Sequence, residues 1–498
     1  MNLHETLLGQ CVTAGDRVAF IEVDTGESVT FSELRARVDA CAARLQTLSI
    51  VPRDTVIIHL YNSIDAVVVH LAAQKLGAVS CFVDALVQPA SLRYYADKAK
   101  AKLLLTHLSR EQIPHDLEQA TTVMEVRALF DLVGSLEVTA QQEPYAWGGD
   151  DVRFIYFTSG TTSQPKGVML SSNNHDSFVR ICRHYWQPVD SESRHLCFVP
   201  FSHGFGTVFL VPMTLWTGGC LYIMRAFHPL KVLDCVRRCS ITHIYGVPSH
   251  YQQLLRLPDA AAILSQLKMA FCAAAKLEHE LTLRWENTTG VSLAEGYGLI
   301  ETCCGTVWRV HEPSLGTGHM GPCPDPALVE IGILDEDNRP LPAGHTGEIA
   351  VRGPSVMRGY LADEAETRRV MVDGWLKTGD QGYVSAENQL FMTGRIKDVI
   401  NIAGIKVSPY EVEAVLNAHP EVMQSVVVAV SDPLYGEVVK AYVQRHAGQA
   451  VDERTLIRFA AQHLISFQVP KRIEFVERFP LNNMGKIDRV ALRADNSN

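Results

Sequence analysis

The chain of 498 residues contains no long uninterrupted apolar run. No window approaches the roughly 18 consecutive apolar residues of a membrane-spanning helix, and the valine-rich stretch 426–430 is only strand length. An excess of positive charge is missing too. With 45 Lys and Arg against 55 Asp and Glu, the formal net charge is −10, which offers no electrostatic footprint for nucleic acid. No Cys-x-x-Cys pair occurs, and the adjacent Cys303-Cys304 suits neither a zinc site nor an ordinary bridge. The twelve cysteines therefore read as small, mostly buried, reduced side chains of a cytoplasmic protein. Residues 1–20 carry Glu5 and Asp16 and lack a basic segment ahead of an apolar run, so no signal peptide is expected. Internal repeats and low-complexity tracts are absent as well. What remains is 47% apolar and 20% charged, the balance of a globular protein with a substantial core and no membrane insertion.

The first third alternates helices and strands. Residues 31–45 and 63–76 place apolar positions at helical spacing, while 56–60 and 78–83 are short apolar strands. The pattern returns with a strand over 220–224, a helix over 230–238 and a strand over 242–247. Strands separated by helices of 10 to 15 residues predict an α/β body of two parallel-type sheets covered by helices. From Gly316 to Tyr360, glycines, prolines and alternating short strands predict a small antiparallel β region. After Gly394 the pattern becomes strand, helix (409–416), strand (422–430), strand, helix (452–463), strand, which fits a compact α+β lobe. The expected division is a body over 1–394 and a C-terminal lobe over 395–498.

A β-rich run, Phe154-Ile155-Tyr156-Phe157, enters Thr158-Ser159-Gly160-Thr161-Thr162-Ser163-Gln164-Pro165-Lys166-Gly167. Five hydroxyls, two glycines and a lysine in ten residues after a strand have the makings of a phosphate cradle. Glycine lets backbone N–H groups approach oxygen, hydroxyls add donors, and lysine supplies charge. The Walker pattern is not met, because the lysine precedes the second glycine and no Ser or Thr follows it.

This string instead resembles the signature of the adenylate-forming superfamily of acyl-CoA synthetases, adenylation domains and luciferases, with Ser163 in place of the usual glycine. Further segments resemble the family's motifs in the right order. Pro200-Phe201-Ser202-His203-Gly204-Phe205-Gly206 resembles the segment beside the acid, which makes His203, Gly204 and Phe205 pocket residues and His203 a catalytic candidate. Ala273-Ala274-Ala275-Lys276-Leu277 resembles the adenine-side segment through Ala274, with Lys276 replacing a proline. Glu295-Gly296-Tyr297-Gly298-Leu299-Ile300-Glu301 resembles the family's Tyr-Gly-x-Thr-Glu motif. The resemblance places Glu295, Gly296 and Tyr297 at the nucleotide, with the Tyr297 ring on adenine, and Leu299 at the acid. It also gives Glu301 a Mg²⁺ ion to hold together with Thr161. Ile300 stands where the family has threonine.

Further along, Thr378-Gly379-Asp380 carries the Asp that accepts from the ribose hydroxyls, and Arg395 reaches ribose or phosphate. Lys397 matches the residue about which the C-terminal lobe turns, Gly404 lies on the thiol's access channel, and Lys486 matches the catalytic lysine. The phosphate loop itself contributes Thr158, Ser159, Gly160, Thr161, Thr162 and Lys166.

The resemblance implies activation of a small carboxylic acid with ATP and Mg²⁺ to an acyl-adenylate, releasing pyrophosphate, then transfer to a thiol. Coenzyme A is the first choice of thiol. A carrier-protein phosphopantetheine or an amine remains open as acceptor, and so an acyl carrier protein as partner. Adenylation domains for α-amino acids place an Asp where this chain has Gly204, so that motif supplies no carboxylate for an ammonium. Gly204, Gly206, Leu299 and Ala274 point to an aryl or alkyl acid. A non-catalytic nucleotide-binding scaffold would be expected to have lost Lys486, Glu301 or Asp380, and all three are present. If the lobe turns at Lys397, Lys397→Pro slows thioester formation far more than adenylation. Half-reaction assays showing equal losses would contradict that role.

Overall fold

The computed structural model describes residues 3–133, 143–158, 164–186, 189–310, 312–403, 405–446, 448–481 and 487–494. Local sequence sets the early helices. Phe31–Thr47 opens on a capping box: the Thr30 hydroxyl accepts from the Glu33 N–H, and the Glu33 carboxylate accepts from the Thr30 N–H. Its buried residues Phe31, Leu34, Val38, Cys41 and Leu45 recur at helical spacing. Ile64–Lys75 starts where the Ser63 hydroxyl accepts the Ala66 N–H at 3.1 Å. This helix is buried on every side because it packs between strands of two different sheets, Thr55–His59 and Val18–Glu22.

The first sheet has seven strands, with a parallel centre of Val152–Thr158, Val79–Phe82, Thr55–His59, Ala101–Thr106 and Thr122–Glu125. Lys166–Ser171 folds back antiparallel on Val152–Thr158, and Gly359–Tyr360 completes that edge. The second sheet has eight strands. Its parallel run passes through Leu293–Tyr297, Met269–Ala273, His243–Gly246, Arg194–Cys197, Cys220–Ile223 and Val18–Glu22, and antiparallel strands close both ends. The two helix-covered sheets expected from the alternation are therefore present.

The antiparallel region is larger than the sequence reading placed it. It extends to residue 395, since Trp375–Val384 and Gln389–Arg395 are its long central strands, and Gly359–Tyr360 leaves it for the first sheet. The C-terminal segment carries a five-stranded sheet with the helices Pro409–Asn417 and Glu453–His463. Its own apolar cluster includes Ile400, Val412, Leu416, Val427, Val439 and Leu456. All twelve cysteines are free thiols, none of them exposed. Among the described residues, no helix is long and apolar enough to cross a membrane.

An aromatic knot ties the second sheet to its covering helices. Trp186 is 1% exposed, with ring centroids 4.6 Å from both Phe209 and Phe271 and 5.4 Å from Trp308. Such a site cannot collapse fully around a small side chain, so Trp186→Ala is expected to cost about 3–5 kcal/mol of unfolding free energy. Denaturant titration checks this, and a loss under about 1 kcal/mol would show that the knot is dispensable.

Candidate active site

Ligands in open α/β sheets lie beyond the carboxyl ends of the strands. Here the chain gathers its chemistry there. Thr158 ends Val152–Thr158 and faces Lys166 across the antiparallel pair. The Lys166 ammonium donates to Glu366 Oε1 at 2.5 Å and stands 5.3 Å from the centroid of the Tyr360 ring. The Tyr360 hydroxyl in turn donates to Glu301 Oε1 at 2.8 Å, and the Met357 N–H donates to the Glu301 carbonyl at 2.8 Å. Burial lifts the Glu301 carboxyl above its ordinary value, while its hydrogen bonds, including that from Tyr360, and the Lys166 charge work the other way.

Glu301 rides on a pinched loop, 298–305. A Cβ on Gly298 would lie 2.5 Å from the Gly305 Cα, so the two backbones close the loop at van der Waals contact. Cys303 and Cys304 both occupy the left-handed region, at φ 55° and 73°. That costs on the order of 1–3 kcal/mol each and persists only where the surroundings enforce it. The enforcement is visible: the Cys304 N–H donates to the Leu299 carbonyl at 2.7 Å. The Thr302 hydroxyl accepts from the Leu299 N–H and donates to its carbonyl, both at 3.1 Å, and also accepts from the Thr306 hydroxyl at 2.8 Å. Thr302 is thus committed to the loop and does not stand in for a hydroxyl at Ile300. Ile300 packs its side chain against the main core.

On the opposite side, Asp380 is 3% exposed. It accepts from the Tyr297 hydroxyl at 2.9 Å and pairs with Arg395 Nε at 3.3 Å, a pairing set by the strand register Asp380↔Arg395. Burial raises its carboxyl, against Arg395 first and then Tyr297. The Tyr297 ring belongs to the apolar cluster with Val307, Met320 and Leu390. Ala274 turns at φ 69° directly after Met269–Ala273, and Gly296 lacks the Cβ that would meet the Phe271 ring. Glu295 points elsewhere: it forms a buried ion pair with Arg309 at 3.1 Å across the strand pair. Burial pushes its carboxyl up to about 7 despite that pairing.

At the expected acid side, the short helical turn Phe201–His203 ends at Gly204, φ 74°, and a π-helical turn, Phe205–Leu210, follows. A Cβ on Gly204 would lie 2.7 Å from Cys304 Sγ. Phe205 stacks on Phe271 with centroids 5.7 Å apart and planes 8° apart. His203 Nε2 lies 3.6 Å from Asp84 Oδ2, to which the Ser202 hydroxyl donates at 2.9 Å. The 200s motif itself supplies no carboxylate, but the fold delivers Asp84 beside it. Both Asp84 oxygens are engaged, since the Leu86 N–H donates to Oδ1 at 2.9 Å. Asp84, Tyr360 and Glu366 were missed by motif reading. Only Asp84 carried a usable signal, its place just after the apolar strand Val79–Phe82.

A family model for AMP-binding enzymes matches residues 9–361, and the model for the AMP-binding enzyme C-terminal domain matches 411–486. The chain belongs to the adenylate-forming superfamily of AMP-binding enzymes. It is 30% identical to 4-coumarate–CoA ligase 3 of Oryza sativa subsp. japonica over 99% of this chain and 92% of that protein. It is 27% identical to ATP-bound MatB from Rhodopseudomonas palustris, with a TM-score of 0.92 over 99% of this chain and 98% of that one. Against the O-succinylbenzoate coenzyme A synthetase MenE of Bacillus subtilis, solved with ATP and a magnesium ion, identity is 25% and the TM-score 0.82, over 99% of both chains.

For this AMP-binding enzyme, the fold sets Thr158 opposite Lys166, joins Lys166 to Glu301 through Tyr360, joins Tyr297 and Arg395 through Asp380, and turns Glu295 into a buried ion pair. Lys397 is exposed on the short turn Ile396–Asp398. Ser159, Gly160, Thr161, Thr162, Gly404 and Lys486 lie outside the described residues. Because a Cβ at Gly298 meets backbone rather than a yielding side chain, Gly298→Ala must open the loop that carries Glu301. Calorimetric titration with ATP and magnesium should show affinity weakened by about tenfold or more, the scale of losing charged contacts. Unchanged affinity would contradict the pinched loop's role.

Proposed function

We propose that this chain is an ATP-dependent acid–thiol ligase that forms an acyl-adenylate with release of pyrophosphate and passes the acyl group to coenzyme A, and that its acid is an aryl or alkyl carboxylate. The observation that carries the reading is the continuous contact from Lys166 through Tyr360 to Glu301, near enough to the Tyr297–Asp380–Arg395 group for the Asp380 charge to act on Glu301. One group suits a polyphosphate, the other the two hydroxyls of a ribose.

A carboxylate attacking a triphosphate meets like charge, so the site must offset charge and hold the reactants in line. Lys166, with the hydroxyls of the loop after Thr158, would take the phosphates. Asp380 retains accepting lone pairs for ribose hydroxyls, and Arg395 works against the rise that burial imposes on that carboxyl. Glu301 fits a magnesium ion: it is a hard oxygen donor that burial has left in want of positive charge. Bound there, the ion would neutralise phosphate charge. Lys486 would stabilise the charge that develops as the acid oxygen bonds to the α-phosphorus and pyrophosphate leaves. In the second half-reaction the thiol sulfur bonds to the acyl carbon, its proton is lost, and AMP departs.

The aryl or alkyl assignment is supported by the stacked Phe205 and Phe271 and by Gly204, which gives the 200–206 turn no carboxylate of its own. The separate apolar cluster of the C-terminal segment supports a division into a body over 1–394 and a lobe over 395–498, and the free, unexposed thiols support a cytoplasmic setting.

Incubation with ATP, magnesium and a panel of aryl, alkyl and amino acids should release pyrophosphate with an aryl or alkyl acid and yield an acyl-CoA mass when CoA is added. Adenylate without a CoA effect would shift the acceptor to a carrier protein or an amine. Lys486→Ala should slow adenylation by about 10²–10³. Silence of the unaltered protein across the panel would overturn the reading.

A further inference from the structure

Glu366 has no part in the chemistry just described, yet it touches the cation that chemistry needs. Its Oε1 accepts from Lys166 at 2.5 Å, and Arg369 forks the same carboxylate, Nε to Oε2 at 2.6 Å and Nη2 to Oε1 at 2.7 Å. The Lys166 and Glu366 side chains are 16% and 15% exposed, that of Arg369 69%. A carboxylate against a phosphate-binding lysine ought to subtract charge from the site. Arg369 offsets that, so the three groups together keep one net positive charge.

The Glu366 side chain sits on a firm base. Its N–H donates to Asp363 Oδ1 at 3.1 Å, the Tyr360 N–H donates to the Thr367 hydroxyl at 2.9 Å, and the Leu361 N–H reaches the Gly167 carbonyl at 2.7 Å. Lysine is a point charge on a flexible four-carbon stem. Here the stem's end is fixed between the Glu366 carboxylate and the Tyr360 ring before any ligand arrives.

We propose that Glu366 is a positioning residue for the ATP-dependent half-reaction, holding Lys166 ready for the triphosphate while Arg369 prevents it from neutralising the site. The inference rests on the acid–thiol ligase reading above. Lys166 matters only while phosphates are present, so the effect must be confined to the first half-reaction and must travel through Lys166.

The test is steady-state adenylation by Glu366→Gln, Glu366→Asp and the unaltered protein, and by Lys166→Met with and without Glu366→Gln. Glu366→Gln should raise KM for ATP about tenfold with kcat within about threefold, and Glu366→Asp should fall between. In the Lys166→Met background, Glu366→Gln should change nothing beyond about twofold. Thioester formation from supplied acyl-adenylate should stay at the unaltered rate. An unchanged KM, an equal cost with and without Lys166, or an equal loss in both half-reactions would overturn the proposal. Should Glu366→Gln not fold, Glu366→Asp carries the same comparisons. Absence of pyrophosphate release by the unaltered protein would instead count against the ligase reading.

Discussion

Tyr360 belongs to the edge of one sheet, and the carboxylate its hydroxyl holds hangs from a loop on the other. That 2.8 Å bond joins two bodies of structure with separate hydrogen-bond ladders, and the rest of the site is arranged around it. Tyr360 is held by pairing with Val168, next to the phosphate loop's exit strand. Glu301 is held by a loop whose strain is met by Thr302 and the Gly298–Gly305 contact. Neither element would place its charge reliably alone. A tyrosine that meets the Lys166 cation with its ring and the Glu301 carboxylate with its hydroxyl converts the meeting of two sheets into a fixed separation between a cation and a carboxylate.

The carboxylates here share a condition that a water-exposed surface would not impose. Burial raises Glu301, Asp380, Glu295 and Glu413, and each has a cation or hydroxyl donor beside it. Glu295 with Arg309 and Glu413 with Arg489 are internally compensated pairs at 3.1 Å and 2.7 Å, and serve as braces. Glu301 differs, because its neighbouring donor is a neutral phenol. That contrast separates a carboxylate built for the core from one that still has charge to offer a ligand. Lys276 belongs with the braces: it pairs with Glu278 at 3.0 Å and lies 4.7 Å from the Tyr410 ring, so the residue standing in for a proline now helps seat the C-terminal segment.

Much of this could be read in advance, because the residues proposed to meet the nucleotide sit in short contiguous strings. Thr158, Lys166, Glu301, Asp380 and Arg395 stand in such strings, and apolar spacing announces helices over 31–45 and 63–76, close to the observed Phe31–Thr47 and Ile64–Lys75. What could not be read depends on pairing across long separations. Lys166 and Glu366 are 200 residues apart, and nothing local to either announces the other. Asp84 and Ser202 meet across 118 residues because the turn Phe201–His203 packs against the strand Val79–Phe82. Glu295 was assigned to the nucleotide by its neighbours in the string, whereas the antiparallel partner opposite it decided its direction. The antiparallel region runs on past 360 because Thr378-Gly379-Asp380, a motif string, is also the middle of a ten-residue strand.

The central claim is that these groups together bring an acid to the α-phosphorus of ATP. Exchange of labelled pyrophosphate into ATP tests it most directly, in the presence of magnesium and one acid at a time, with no thiol added. The account predicts exchange that depends on an aryl or alkyl acid and is unaffected by omitting CoA, because the adenylate forms first and reversibly. Exchange that needs no acid, or phosphate and ADP as the products instead, would contradict it.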